Sequence, residues 1–200
     1  MHQHRRKDHS NKFQGERAMR SEEMDRRLQE MLDHQEIIRT LAQYCHGCDR
    51  CDEVRMADVY LKDSWDEHGD LQASGPDFAR IMTARIKEDT SSLYHMLGQS
   101  LVKIDGDEAG AETYFLAVSR LTSPDGVEMC NQLGGRFVDR LQRDGDRWRI
   151  KHRIVVRDWT IALPIAEDWV SATALRAGQR SNDDPSFAAL GIVHSDAKRG

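Results

Sequence analysis

The chain has 200 residues, which is enough for one domain with a hydrophobic core but cramped for two. Its formal net charge is -5, so the chain does not have the excess of basic residues with which a protein binds nucleic-acid phosphates. No apolar run of about 18 residues predicts a membrane span, and no apolar signal-peptide segment follows the basic N-terminus. We therefore expect a cytoplasmic protein that binds neither nucleic acid nor membrane.

The two ends differ in composition from the middle of the chain. Residues 1–20 are polar, rich in His and Arg and without an apolar period, which predicts a disordered basic arm. Residues 176–200 are rich in Gly, Ser, Asn, Asp and Ala, which predicts a flexible C-terminal tail. The folded domain is expected over residues 21–175.

The first half of this domain is predicted to be helical. Ser21, followed by two glutamates, suits a helix N-cap, and apolar residues then recur at steps of three, four or seven as far as Cys48. This pattern predicts one long amphipathic helix. A short second helix is expected to end near Leu61, and Pro76 suits the first turn of a third.

From about Leu93 the apolar period changes to two, which predicts strands. Turns containing glycine at 123–126 and 143–146 predict antiparallel connections between neighbouring strands. Helices followed by an antiparallel meander predict an α+β domain, with the helices packed on one face of a curved sheet. The arginine-rich stretch 136–153 is interleaved with aspartates and is interpreted as a solvated outer sheet face.

Three of the four cysteines, Cys45, Cys48 and Cys51, follow one another at steps of three around a histidine. A structural zinc site usually combines two close pairs of ligands, and no second pair follows this cluster. On a continuing helix, Cys45 and Cys48 share one face, where they would pack as small apolar residues. We expect neither a metal nor another cofactor.

Several segments together resemble a known family. They are Glu36–Tyr44 leading into Cys48-Asp49-Arg50, then Tyr94–Gln99, Ala111–Tyr114, Gly135–Arg140 and Arg153–Trp159. In this order they resemble the SnoaL-like group of the nuclear transport factor 2-like superfamily, which also contains scytalone dehydratase, bile acid 7α-dehydratase and hexachlorocyclohexane dehydrochlorinase. The resemblance covers residues 22–160. It implies a cone-shaped barrel, in which a strongly curved, mainly antiparallel sheet wraps around about three N-terminal helices and encloses an apolar pocket.

The resemblance also implies catalytic residues. Tyr44 and Asp49 match the tyrosine and aspartate of the bile acid dehydratase pattern. His95 matches the histidine that the dehydratases share with the dehydrochlorinase. An aspartate that accepts a hydrogen bond from one imidazole nitrogen fixes the tautomer and makes the other nitrogen a better base. Asp49 and His95 are therefore predicted to form an acid-base dyad, with Tyr44 stabilising charge on the substrate.

Four further residues are predicted to bind the substrate. Arg157 falls near the pocket arginine of the dehydratase, and His68 stands where two relatives carry a tyrosine. Tyr60 and Phe115 complete the predicted lining. Other positions depart from the pattern, since Val118 replaces an acidic residue of the bile acid enzyme. The resemblance is consequently more specific for fold than for substrate.

These residues predict a cofactor-independent lyase of the dehydratase type, or an isomerase, acting on a small cyclic apolar substrate. An epoxide hydrolase or aldol cyclase is the alternative among enzymes of this fold. A non-catalytic ligand-binding module, or the small subunit of a ring-hydroxylating dioxygenase, is the alternative from another class. An enzyme should keep an open pocket beside the dyad, whereas a structural subunit should have that cavity filled by side chains.

The superfamily also implies a homodimer or homotrimer formed through the open sheet face. The apolar segment 159–170 is expected either to cover the mouth of the cone or to pack on another subunit.

Overall fold

The computed structural model describes residues 2–165 and 174–198. Its helices are α1 (His2–Asp49), α2 (Glu53–Ala57), α3 (Gly75–Asp89) and α4 (Pro185–Leu190), and a 3-10 turn follows at Ser195–Lys198. Its strands are β1 (Tyr60–His68), β2 (Leu71–Ser74), β3 (Ser92–Asp105), β4 (Glu108–Thr122), β5 (Glu128–Asp144) and β6 (Arg147–Pro164).

The strands form one sheet in the order β2-β1-β6-β5-β4-β3. Every neighbouring pair is antiparallel except β1 and β6, which run parallel. Within the described residues no strand joins the outer edges of β2 and β3, so the sheet is curved but not closed. The α+β prediction is confirmed, with three helices preceding β3 and an open cone in place of a closed barrel.

Only the last third of helix α1 contributes to the hydrophobic core. Ile37, Leu41, Tyr44 and Cys48 recur at helical spacing, and each is at most 2% exposed. The apolar residues before them, such as Met24 and Leu28, are more than half exposed. The buried stripe therefore places the C-terminal end of α1 inside the cone, where the site is built.

The two ends of the chain differ from their sequence-based predictions. α1 begins at His2 and runs through the predicted arm, so Ser21 lies inside the helix and does not cap it. Arg, Lys, Glu, Gln and Met are good helix formers, and no proline interrupts the segment. At the other end, Phe187 and His194 of the predicted flexible tail are both 1% exposed. This segment is held by packing against the domain, which composition does not reveal.

The face of each strand follows from the pairing register, because directly paired residues share a face. The inner face carries the core residues Phe137 and Leu141 of β5. β6 pairs with β5 through two irregularities, so its inward residues shift phase twice along the strand. The inward residues of β6 are Trp148, Ile150, Arg153, Val155, Arg157, Thr160 and Ala162.

The first irregularity corrects the interpretation of the arginine-rich stretch. Strict alternation from Trp148 and Ile150 would turn His152 inward and Arg153 outward. Because the register shifts after Ile150, Arg153 instead pairs with Asp139 and is 0% exposed. The stretch is therefore not a solvated face throughout.

The outer face carries many partly exposed apolar side chains. They include Tyr94, Met96, Tyr114, Ile154, Trp159, Ile161 and Leu163. The homodimer or homotrimer formed through this face stays a prediction. The last part of the apolar segment 159–170, from residue 166 onward, lies outside the described residues. In the described parts of the chain, no helix is both long and apolar enough to span a membrane.

Candidate active site

The structure brings Asp49 and His95 together at the inner end of α1. His95 Nδ1 lies 2.6 Å from Asp49 Oδ1, and the backbone N–H of His95 donates to Asp49 Oδ2 at 3.1 Å. Both carboxylate oxygens are thus engaged by one residue of β3. The side chains are 10% and 12% exposed for His95 and Asp49, which shields the pair without sealing it.

The way α1 ends explains why Asp49 can reach β3. The helix stops through bonds from Arg50 N to His46 O and from Asp52 N to Gly47 O, with Cys51 in the left-handed conformation at φ 51°. Gly47 allows α2 to approach, since a Cβ there would lie 2.8 Å from the backbone nitrogen of Met56. The chain therefore turns sharply just after Asp49 and leaves its carboxylate facing the sheet.

The hydrogen bond to Asp49 assigns the protons on the His95 ring. Because a carboxylate accepts, Nδ1 carries hydrogen and Nε2 is left as the basic nitrogen. No described residue forms a hydrogen bond with Nε2. The ring of Phe115 lies 6.2 Å from the imidazole, centroid to centroid. The dyad can therefore accept a proton at Nε2 from a bound molecule.

A recess continues from His95 across the inner face. His95 pairs with Ala117, which pairs with Leu133, which in turn pairs with Thr160. A recess of about 440 Å³ opens along this row. Its lining residues on the inner face are Ala117, Ser119, Asn131, Leu133, Thr160 and Ala162, and it is also lined by Gln132 and Ile161, which the register assigns to the outer face. The mixture of apolar and uncharged polar side chains suits a small neutral molecule.

The next row of the inner face holds two predicted substrate-binding residues. Phe115 pairs with Gly135, which pairs with Arg157. Phe115 is 6% exposed and stacks on Phe137 with their ring centroids 4.2 Å apart. Arg157 is exposed at the end of the same row. Register therefore places both residues on the face of the dyad, with Phe115 packed and Arg157 open to solvent.

Deeper in the cone, an ion pair takes the place of a cavity. Arg153 donates from Nε and Nη2 to the two oxygens of Asp139 at 2.7 and 2.8 Å, and both side chains are 0% exposed. The guanidinium lies 4.2 Å from the ring centroid of Tyr44 and 4.1 Å from that of Phe137. Burial opposes its charge, but the attraction of Asp139 prevails and raises the pKa of Arg153 well above its ordinary value.

Tyr44 belongs to this packed interior. Its side chain meets the edges of Tyr60 and Phe137, at centroid distances of 6.2 and 5.5 Å, and the residue is 1% exposed. Burial raises the pKa of the Tyr44 hydroxyl well above its ordinary value, so the hydroxyl stays protonated. The arginine that stacks on Tyr44 is Arg153, four residues before the predicted Arg157.

The last two predicted residues, Tyr60 and His68, lie around Asp66, next to the same packed interior. The Tyr60 hydroxyl donates to Asp66 Oδ2 at 2.5 Å, and Asp66 is 0% exposed. His68 Nδ1 lies 3.6 Å from Asp66 Oδ1, and the His68 ring stacks on Phe78. Burial also raises the pKa of Tyr60. Tyr60 is thus hydrogen-bonded to Asp66, His68 packs on Phe78, and neither residue is among those that line the recess.

Sequence reasoning missed Arg153, Asp139 and Asp66. Counting outward from the turn at 144–147 predicts the correct strand partners only for the residues close to that turn. The shift after Ile150 makes Arg153 the partner of Asp139, where regular counting would give His152. A regular alternation therefore hides the pair.

The cysteines behave as core residues. Cys45, Cys48 and Cys51 are buried within the hydrophobic core and have no disulfide partner. Burial raises the pKa of the Cys45 thiol to about 12, which keeps it protonated and a poor metal ligand. In the described ranges no group of three or more His, Cys, Asp or Glu residues is arranged to hold a metal ion.

Comparisons with known proteins place the chain in a family. Residues 29–154 match the SnoaL-like domain family. No curated protein sequence matches the chain. The crystal structure of a candidate scytalone dehydratase from Novosphingobium aromaticivorans is similar, with a TM-score of 0.60 and 20% identity over 72% of this chain and 99% of that protein.

Two other crystal structures show the same likeness. A type 2 hexachlorocyclohexane dehydrochlorinase has a TM-score of 0.57 at 14% identity, covering 71% of this chain and 93% of its own. A candidate aromatic ring hydroxylase from Novosphingobium aromaticivorans has a TM-score of 0.58 at 18% identity, covering 70% and 96%. At such identities the likeness establishes the fold. Because the family match spans more than half of the chain, the protein belongs to the SnoaL-like domain family and has the nuclear transport factor 2-like fold.

Proposed function

We propose that the protein is a cofactor-independent lyase or isomerase that acts on a small cyclic, largely apolar substrate. The observation that carries the proposal is the 2.6 Å contact between His95 Nδ1 and Asp49 Oδ1, with Nε2 left available on the face that bears the recess. A shielded dyad beside a recess of about 440 Å³ is suited to general base catalysis on a molecule of one or two rings.

In the proposed reaction, His95 Nε2 removes a proton from a carbon next to an activating group. Asp49 stabilises the imidazolium that forms, since its carboxylate accepts the Nδ1 hydrogen. The electron pair of the broken C–H bond then forms a C=C bond while a leaving group departs with its own pair. In an isomerisation the imidazolium instead returns the proton to another carbon.

Other residues have supporting roles in this proposal. Arg157, exposed on the inner face, can place positive charge near an oxygen on which negative charge develops. Tyr44 is buried in the packed interior, and its contacts favour packing over direct contact with substrate. Asn131 and Thr160 can donate hydrogen bonds to an oxygen of the bound molecule.

The experiment follows hydrogen exchange at the acidic C–H, which needs no leaving group, together with elimination. Cyclic ketones that carry a hydroxyl or halide on the carbon next to the acidic C–H are incubated with the protein in heavy water. Proton exchange and elimination are followed by NMR. We expect wild type to catalyse one or both, and His95→Gln to lose at least about a hundredfold of the rate. His34→Gln is the matched control, because His34 is exposed on α1 away from the recess. Full activity in His95→Gln would remove His95 from the mechanism.

A second candidate is a non-catalytic role, either ligand binding or service as the small subunit of a ring-hydroxylating dioxygenase. The observation that favours it is the filled cone interior, where Arg153, Asp139 and Tyr44 occupy the space of a deep pocket. Binding of the same ketones without exchange or elimination by wild type would support ligand binding alone. If wild type neither bound nor converted these ketones, the role of a structural subunit would be favoured.

A further inference from the structure

Residues 174–198, here called the C-terminal strap, form a structural unit outside the family match at 29–154. The strap contains α4 and the 3-10 turn. Composition alone predicts it to be flexible, yet Asp184, Phe187, His194 and Ser195 are each at most 5% exposed. These side chains are therefore packed against the domain. One of their partners is Arg50, the residue that follows Asp49.

One set of strap contacts holds the end of α1. His194 Nε2 donates to the backbone oxygen of Arg50 at 2.8 Å, and Arg50 is the residue that follows Asp49. The Arg50 side chain also lies 3.6 Å from Asp184. Phe187 packs edge-on between His46 and His194, with centroid distances of 5.4 and 5.3 Å. The strap thus fixes the last turn of the helix that presents Asp49.

A second set of contacts holds the end of α3, which leads into β3. Arg180 donates from Nη1 to the backbone oxygen of Thr90 at 2.6 Å and from Nη2 to Thr90 Oγ1 at 2.7 Å. Lys87 pairs with Asp196 at 2.6 Å. Thr90 caps α3 and precedes β3, which begins at Ser92, three residues before His95. The strap therefore also fixes the segment that leads to the other member of the dyad.

We infer that the C-terminal strap is a positioning element that sets the distance between Asp49 and His95. The inference rests on the proposed function of the dyad. Asp49 and His95 come from separate elements, and the strap bonds to the chain close to both of them. His194 and Arg180 are the positioning residues, since neither one contacts the recess. A displacement of about 1 Å between catalytic groups is enough to cost a large factor in rate.

The test uses point variants of the full chain. His194→Ala removes the bond to Arg50, whereas His194→Gln keeps a donor at the same place, because the glutamine amide reaches about as far as Nε2. The first measurement is the tautomer of the His95 ring, read from its nitrogen NMR shifts without any substrate. The second is kcat and KM in the elimination assay. Leu190→Ala is the control within the strap, since Leu190 is 62% exposed.

We expect wild type, His194→Gln and Leu190→Ala to show one tautomer with hydrogen on Nδ1. His194→Ala should show a mixture of tautomers and a kcat lower by about tenfold, with KM changed by less than about twofold. Arg180→Met should shift the His95 signals in the same direction. Ile104→Ala, a core change at the far end of β3, controls for general loss of stability and should leave the His95 tautomer unchanged.

Unchanged His95 signals in both His194→Ala and Arg180→Met would overturn the inference, whatever the turnover. A changed tautomer in His194→Ala, restored in His194→Gln, would support it even if wild type proved to have no elimination activity. Equal changes in Ile104→Ala would also overturn it, because they would show a general response to lost stability. The NMR measurement therefore separates failure of the strap inference from failure of the proposed function.

Discussion

The inner face of the cone contains two carboxylate pairs with opposite properties. Asp139 and Arg153 form a bidentate ion pair at 0% exposure, enclosed by aromatic rings. Asp49 and His95 form a single side-chain contact at 10–12% exposure beside an open recess. A guanidinium holds its proton at any ordinary pH, whereas a neutral imidazole has a second ring nitrogen that can accept one. The deep pair therefore has the properties of a structural ion pair, and the shallow pair has those of the general base that we propose.

The two pairs also differ in what their loss should do. A sealed ion pair that loses one partner leaves a buried charge without compensation, so stability suffers. A dyad at the edge of a recess can lose its base while the domain stays folded. Four substitutions test this contrast, beginning with the one that should act most strongly.

Arg153→Met should destabilise the protein most. It leaves Asp139 buried without a partner, and the free energy of unfolding should fall by about 3–5 kcal/mol, measured by urea denaturation. The double variant Arg153→Met with Asp139→Leu should recover much of this loss, because no buried charge remains. A single-variant loss below about 1 kcal/mol would mean that water reaches Asp139 and that the deep pair is not sealed.

Asp49→Asn should act on turnover and spare stability. An amide can donate to the ring, which favours the wrong His95 tautomer, and kcat should fall by about a hundredfold or more. Asp105→Asn changes an exposed aspartate at the end of β3, the strand that carries His95, and as the control should change kcat by less than about twofold. If both variants behaved alike, the shallow pair would have no special place in the reaction.

Acid should weaken the strap through Asp184. Burial favours the neutral carboxyl, but hydrogen bonds from Ser186 and Gln179 outweigh it and lower the pKa of Asp184 from 3.8 to about 2. A folded-state pKa below the unfolded one gives stability that is complete above the unfolded pKa and lost as the pH falls toward about 2. The shift corresponds to about 2 kcal/mol.

Asp184→Asn tests this pH dependence. Denaturation midpoints of the variant should fall less steeply than those of wild type between pH 3.8 and about 2. Identical curves for the two proteins would show that this carboxylate does not contribute to stability in acid.

Ala117→Leu should have the smallest effect, on substrate affinity. Ala117 pairs with His95 and lines the recess, so a larger side chain there takes space from the bound molecule. KM should rise by about tenfold, while the free energy of unfolding changes by less than about 1 kcal/mol. Ala42→Leu adds the same volume at an exposed position of α1 and should leave KM unaltered. A normal KM in Ala117→Leu would place the substrate elsewhere.

The fold class, the family and the contact between Asp49 and His95 were predictable from the amino-acid sequence alone. A helical period up to Cys48 and a period of two after Leu93 indicate helices before a meander, because side-chain burial repeats with the geometry of each element. The segments around Asp49 and His95 carry the family resemblance. The pairing of these two residues, 46 positions apart, is the most specific sequence-based expectation that the geometry realises.

Which charged residues are buried, and where the strap packs, could be read only from the folded structure. The register shift after Ile150 turns Arg153 inward, and a shift of one residue reverses every later side chain while leaving composition and spacing unchanged. The strap is equally invisible in the sequence, since its Gly, Ser and Asp are typical of loops. Its order comes from partners such as Arg50 and Thr90, more than eighty positions away. Long-range pairing, which no local pattern encodes, fixed both features.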